Sequence, residues 1–193
     1  MKSASKVLSR LEAMGKQEFI PSIGPVKGRI IARVIEKHRP KRILEIGTLY
    51  GYSAILMAAL LPVEGKIVTI ETDRGNAEFA RKNILDAGLK DRIEVMEGDA
   101  MEILHSLPGK FDLLFIDARK EEYLGYLKLA EKNLENDSVV IADNVKLFAD
   151  EMKDYLSYVR GSDRYESTTI DVPPEFSDGV EDAMEISISK VKG

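Results

Sequence analysis

Cysteine and tryptophan are absent from this chain of 193 residues, and histidine occurs only as His38 and His105. Without a thiol there can be no disulfide, no thiolate nucleophile and no Cys-ligated zinc, so any metal must be held mostly by oxygen. An excess of positive charge is missing as well: 28 Lys and Arg stand against 33 Asp and Glu, and the net charge of -5 gives no general attraction for nucleic acid or an anionic membrane. Long apolar runs are missing too. The longest, Ala54 to Val63, cannot cross a bilayer, and the N-terminal MKSASKVLSRLEAMG carries no apolar signal core. These absences point to a cytoplasmic protein without a membrane segment. Repeats, low-complexity tracts and linkers are lacking as well, so residues 1–193 are expected to form a single domain.

What is present is a regular alternation. Apolar, β-rich runs stand at RILEI (42–46), KIVTI (66–70), RIEVM (92–96), FDLLFI (111–116) and SVVIA (138–142). Between them, helical spacing predicts helices over Tyr52 to Leu61, Arg74 to Ala87, Ala100 to Leu107 and Glu121 to Leu134. Two more helices, about Ser3 to Met14 and about Val26 to His38, precede the first strand, the second stopped by Pro40. A β-α-β-α order implies parallel strands with right-handed crossovers and helices on both faces. After the fifth strand, ADEMKDYLSYVRGS reads as a helix, and RYESTTIDV and AMEISISKV as strands joined too tightly for a crossover. That pair is therefore expected to be antiparallel at a sheet edge. The expected fold is α/β: a mostly parallel seven-stranded sheet with an antiparallel C-terminal pair.

Chemistry in such a sheet lies beyond the carboxyl ends of the strands. After the first strand comes EIGTLYGYS, where Gly47 and Gly51 allow a sharp turn and Tyr52 and Ser53 open the next helix. After the second comes Glu71, an acid at the distance beyond a glycine loop where ribose hydroxyls find a partner. The loop is not GxGxxG, which favours S-adenosylmethionine over a nicotinamide dinucleotide. Gly98, Asp99 and Ala100 follow the third strand, DARK (Asp117 to Lys120) the fourth, and Asp143 with Asn144 the fifth. Each has a plainer reading as a turn former or helix cap. Asp117, Asp143 and Asn144, however, end neighbouring strands and can converge as hard oxygen ligands suited to Mg²⁺. The basic run KHRPKR, Lys37 to Arg42, leads into the first strand at the opposite edge from the glycine loop and reads as a solvated helix end.

The stretches VKGRII, ILEIGTLYGYSAILMA, VTIETD, FIDARKEEY, IADNV, YVRGS and SDGVEDAMEIS together resemble the catechol and caffeoyl-CoA type of class I S-adenosylmethionine-dependent O-methyltransferases, the catechol branch most. The resemblance runs in order from about residue 19 to the C-terminus, and DxxK with DN is its most specific part. It implies a Rossmann-like fold and Mg²⁺ held by Asp117, Asp143 and Asn144. It also implies a donor site formed by Ile23, Gly47, Tyr52, Ser53, Glu71, Gly98, Asp99, Ala100 and Asp117, with Lys120 as general base on the hydroxyl to be methylated. On the acceptor side it implies Phe19 as an aromatic gate, Arg119 in place of an aromatic on the opposite wall, and contacts from Lys120, Asn144 and Glu175. Residues 1–40 would cover the active site, and a homodimer is a family habit. The expected partner is a small aromatic vicinal diol rather than nucleic acid. The alternatives are a tRNA 5-hydroxyuridine O-methyltransferase of the same family and a protein that binds S-adenosylmethionine without turnover.

Overall fold

The computed structural model describes residues 2–18, 22–173 and 181–190. Seven strands form one sheet: β1 (Arg42–Ile46), β2 (Lys66–Glu71), β3 (Ile93–Glu97), β4 (Phe111–Ile116), β5 (Leu134–Ala142), β6 (Tyr165–Val172) and β7 (Asp182–Ser189). The spatial order is β3-β2-β1-β4-β5-β7-β6. The first five strands run parallel, while β7 is antiparallel to both β5 and β6. The C-terminal pair is antiparallel as expected, with β7 wedged inward against β5 and only β6 at the rim.

Seven helices surround the sheet among the described residues: α1 (Lys2–Glu18), α2 (Gly24–His38), α3 (Tyr52–Leu60), α4 (Arg74–Asp86), α5 (Ala100–Ser106), α6 (Tyr123–Ala130) and α7 (Lys153–Gly161). Strand residues alternate between two apolar layers, as they must when both faces are covered. Ile43, Leu113, Phe115, Val139 and Ile141 join the layer under α1 to α4. Leu44, Ile46, Leu114, Ile116 and Val140 join the layer under α5 to α7. That two-sided burial is why the strands read as continuous apolar runs.

Four boundaries depart from the sequence reading by a turn or so: α1 runs on to Glu18, past the expected Met14, α7 starts only at Lys153 within ADEMKDYLSYVRGS, and two others have a visible cause. The helix expected over Glu121 to Leu134 is three pieces, with 3-10 turns at Lys120–Glu122 and Glu131–Asn133 flanking α6. The second turn is held where buried Asn133 donates through Nδ2 to the carbonyls of Leu107 and Gly109, at 2.9 and 2.7 Å. Strand β5 begins at Leu134 instead of Ser138, because its first residues pair at Leu134 with Phe111 although Glu135 to Asp137 are exposed and polar.

The strand order reverses between β1 and β4, which both start next to each other and lead to opposite halves of the sheet. This is the switch point at which an open α/β sheet makes a crevice. Backbone bonds carry the strands past their ends there: Gly47 N–H to Ile70 O, Asp117 N–H to Ile46 O and Asp143 N–H to Ile116 O, at 3.0, 2.9 and 3.1 Å.

Candidate active site

A cavity of about 630 Å³ lies over the carboxyl ends of β1, β2, β4 and β5. Its volume falls in the range of sites for small molecules and cofactors. At one end the wall is the Gly47–Gly51 turn. Gly47 has φ of 98° and Gly51 83°, and a Cβ built on Gly47 would lie 1.9 Å from the Asp117 carbonyl oxygen. Only glycine allows that approach. The turn is tied down on every side: Leu49 N–H donates to Glu71 Oε2 at 2.7 Å, Gly51 N–H to Thr48 O at 2.8 Å, and Asn83 Nδ2 to Tyr50 O at 2.9 Å. Glu71 Oε1 in turn accepts from Asp73 N–H at 2.9 Å. The acid is thus fixed by amides on both oxygens, each with a lone pair left for a ligand.

Ile23, Tyr52, Ser53, Gly98, Asp99, Ala100 and Asp117 all line the same cavity, so each of the donor residues expected from sequence borders one space. The capping expectation also has its place here. Asp73 caps α4 through Asn76 N–H, and Asp99 Oδ1 caps α5 through Met101 N–H at 2.7 Å. The Tyr52 hydroxyl donates to Glu12 of α1 at 2.6 Å, and Leu11 of the same helix lines the cavity, so α1 rests on its donor end. Beneath the turn, Glu45 is fully buried beside the Ser53 and Thr69 hydroxyls, and among the described residues neither of its oxygens has a hydrogen bond of good geometry. Burial first, against partial relief from Ser53 and Thr69, pushes its carboxyl up to about 7.

The other end is built from charged side chains. Lys120 Nζ donates to Asp117 Oδ1 at 3.0 Å and to the Tyr123 hydroxyl at 2.8 Å. That phenol is buried and donates to the Asp143 backbone oxygen at 3.3 Å. Asp143 is only 2% exposed. Burial and then the charge of Asp117 push its carboxyl up, against the pull of Lys27 and Lys120. Asn144 takes a left-handed backbone, φ 62°, a conformation Asn tolerates better than most residues. Its backbone N–H returns to Asp143 Oδ1 at 2.8 Å. Arg119 lines the cavity with an exposed guanidinium 3.6 Å from Glu122. Phe19 and Glu175 lie outside the described residues.

Three participants were given no role from the sequence: Lys27, Asp182 and Tyr123. Lys27 Nζ lies 2.7 Å from Asp143 Oδ1 and 2.7 Å from Asp182 Oδ2. Burial alone would lower the lysine, but the two carboxylates outweigh it and hold the ammonium above its ordinary value. A signal for Lys27 did exist. With Ile31, Val34 and Ile35 it falls on the apolar stripe of α2, where an unpaired cation would be costly.

Comparison with known proteins shows the family. The profile of the O-methyltransferase family matches residues 3–154. A pig (Sus scrofa) catechol O-methyltransferase is 36% identical over 172 residues, covering 84% of this chain and 91% of that protein. A catechol O-methyltransferase of Niastella koreensis is 39% identical over 128 residues, covering 64% of this chain and 58% of its own. The chain therefore spans little more than half of the second relative. Among solved structures, an O-methyltransferase from Bacillus cereus in complex with S-adenosylhomocysteine superposes with a TM-score of 0.84 at 27% identity, covering 98% of this chain and 91% of that one. A Streptomyces achromogenes O-methyltransferase of tomaymycin synthesis, in complex with S-adenosylmethionine, gives 0.84 at 26%, covering 96% and 90%. Fold, cavity and sequence meet in one assignment: the chain belongs to the O-methyltransferase family.

Proposed function

We propose that this enzyme moves the methyl group of S-adenosylmethionine to one hydroxyl of a small aromatic vicinal diol, with a divalent cation, Mg²⁺ by the chemistry of its ligands, held by Asp117, Asp143 and Asn144. The observation that carries the reading is a single cavity running from the Gly47–Gly51 turn and Glu71 to Lys120, Asp117, Asp143 and Asn144. Donor and acceptor would meet within one cleft.

The ligand set fits such an ion. Two carboxylates close enough for the charge of one to oppose ionisation of the other, beside a carboxamide, form a hard oxygen site that a cation would relieve. When bound, the cation would supply charge that lowers the pKa of an acceptor hydroxyl from its ordinary phenolic value of about 10.

The remaining work falls to side chains of this protein. Glu71 would hold the ribose hydroxyls through the lone pairs its two backbone amides leave free. The Gly47–Gly51 turn would keep the methionine portion against the sheet, with α1 and α2 as its cover. Lys120, once it has given up its own proton, would take the hydroxyl proton at Nζ. Asp117 and the Tyr123 phenol fix that nitrogen at 3.0 and 2.8 Å, so little motion is needed to present it. The oxyanion then displaces the sulfonium at the methyl carbon, and no covalent enzyme intermediate is required. Positioning and fixed charge carry the rate.

An acceptor panel tests the substrate class. Purified protein with methyl-labelled donor and Mg²⁺ is offered catechols, single-hydroxyl phenols and tRNA carrying 5-hydroxyuridine. Label is expected in the catechols. Label confined to tRNA, or found equally in the single-hydroxyl phenols, would overturn the diol reading.

A further inference from the structure

Lys27 and Asp182 sit at the proposed ion site without being part of the reaction scheme above. The lysine straddles Asp143: Nζ is 2.7 Å from Oδ1 and 2.8 Å from Oδ2, with a further 2.7 Å contact to Asp182 Oδ2. The ammonium donates to Asp143 Oδ2 and to Asp182 Oδ2 and stays in ion-pair contact with Asp143 Oδ1, so three carboxylate oxygens surround it. Asp182 Oδ2 also accepts from Asn144 Nδ2 at 2.8 Å, and its Oδ1 accepts from Leu147 N–H at 3.2 Å. A carboxylate can only accept here, so it fixes which end of the Asn144 amide faces it. The nitrogen is turned toward Asp182 and the oxygen away.

From this network, and resting on the metal reading, we propose that Lys27 is a resident counter-cation that competes with the divalent ion for Asp143 and sets the concentration at which that ion binds. Asp182 is the second anchor on which the lysine is retained, and the positioning residue that orients the Asn144 carboxamide. Charge counting supports the competition. Asp117, Asp143 and Asp182 bring three negative charges, and Lys27 and Lys120 return two positive ones. An incoming dication therefore meets a site whose charge is already largely balanced. Both oxygens of Asp143 are also in contact with the ammonium, which must yield at least one of them. The Lys27 side chain is 12% exposed and that of Asp143 2%, so solvent screens little of this contest.

The test is Mn²⁺ binding, read by loss of the free-ion spin-resonance signal, on whole protein without donor or acceptor. Lys27→Met is expected to bind Mn²⁺ at least about tenfold tighter than the unaltered protein, because a unit charge at contact distance is removed from the site. Asp182→Asn, which keeps an oxygen for the Asn144 amide, is expected to bind about tenfold weaker, because Lys27 then has Asp143 alone. The double variant recovers the affinity lost by Asp182→Asn. Calorimetric binding of S-adenosylhomocysteine, unchanged in all three, certifies the fold. A merely structural lysine gives the opposite sign: Lys27→Met would bind Mn²⁺ equally or more weakly, and that overturns the proposal. If Lys27→Met does not fold, unchanged or tighter binding by Asp182→Asn overturns it instead. Asp143→Ala separates this failure from that of the metal reading. Mn²⁺ binding that Asp143→Ala abolishes but Lys27→Met leaves unchanged sinks the competition alone, whereas no binding by any form sinks both.

Discussion

At the donor end of the cavity the holding groups are mostly backbone. Glu71 is clamped by the N–H of Leu49 and of Asp73, and the glycine turn by Ile70, Thr48 and Asn83. At the other end the holding groups are side chains: Lys120 on Asp117 and Tyr123, Lys27 on Asp143 and Asp182, and Asp182 on Asn144. In the first arrangement neutral backbone groups fix one carboxylate and one turn. This suits a ligand whose position must be reproduced but whose charge does not change where it is held. The second is charged and adjustable, and suits a centre where a proton is removed and a cation is bound. Damage to each end should therefore show in a different measurement.

The largest effect is expected from Lys120→Met, which removes the proposed base but leaves the glycine turn untouched. Turnover should fall by about 10²- to 10⁴-fold, the usual scale of general-base catalysis, with the dissociation constant for S-adenosylhomocysteine unchanged. Single-turnover rates beside calorimetry read both quantities, and a loss of donor affinity in proportion to rate would erase the contrast between the ends.

Gly47→Ala strikes the point at which the two ends touch. Its Cβ would fall 1.9 Å from the Asp117 carbonyl oxygen on a backbone with φ of 98°. A non-glycine residue forced into such a region costs about 1–3 kcal/mol, and the overlap adds to that. Loss of roughly 3 kcal/mol in urea unfolding is expected, together with weakened donor binding. Donor affinity equal to the unaltered protein would show that the turn is not what holds the donor.

Glu45 gives the smallest effect and a pH signature. Its native carboxyl titrates at about 7 against an ordinary 4.5, so the native state holds the proton more tightly than the unfolded chain. Stability from this group consequently falls as pH rises between those values, and the loss is complete above about 7. Glu45→Gln should stabilise the protein by about 1–2 kcal/mol near pH 8, part of the gain being offset by the buried amide, and by nothing near pH 4. Urea unfolding at the two pH values measures the difference. A gain of equal size at both would assign it to packing.

The same contrast explains what could be read from the chain. The donor end was legible because it is local. Apolar runs mark the strands, glycines mark the turn, and Glu71 closes the second run. At the charged end Asp117, Asp143 and Asn144 were legible on the same ground, each following directly on a strand whose end the pattern defines. The rest of the charged end is assembled across the chain, and 155 positions separate Lys27 from Asp182. Nothing in local periodicity pairs an ammonium in α2 with a carboxylate at the start of β7. Tyr123 escaped for another reason: an aromatic on an amphipathic helix reads as core, and it is core, yet its hydroxyl meets Lys120. The start of β5 was missed because Glu135, Asn136 and Asp137 are polar and exposed, so the apolar signal begins only at Ser138.

The central claim is that transfer depends on a cation held by Asp117, Asp143 and Asn144 beside Lys120. Its most direct test is the initial rate of label transfer from S-adenosylmethionine to catechol, with Mg²⁺ and with EDTA, for the unaltered protein and for Asp143→Ala. The account predicts transfer only in the unaltered protein with Mg²⁺, at least about 10²-fold above the EDTA control. Equal rates with Mg²⁺ and with EDTA, or an Asp143→Ala variant as fast as the unaltered protein, would contradict it.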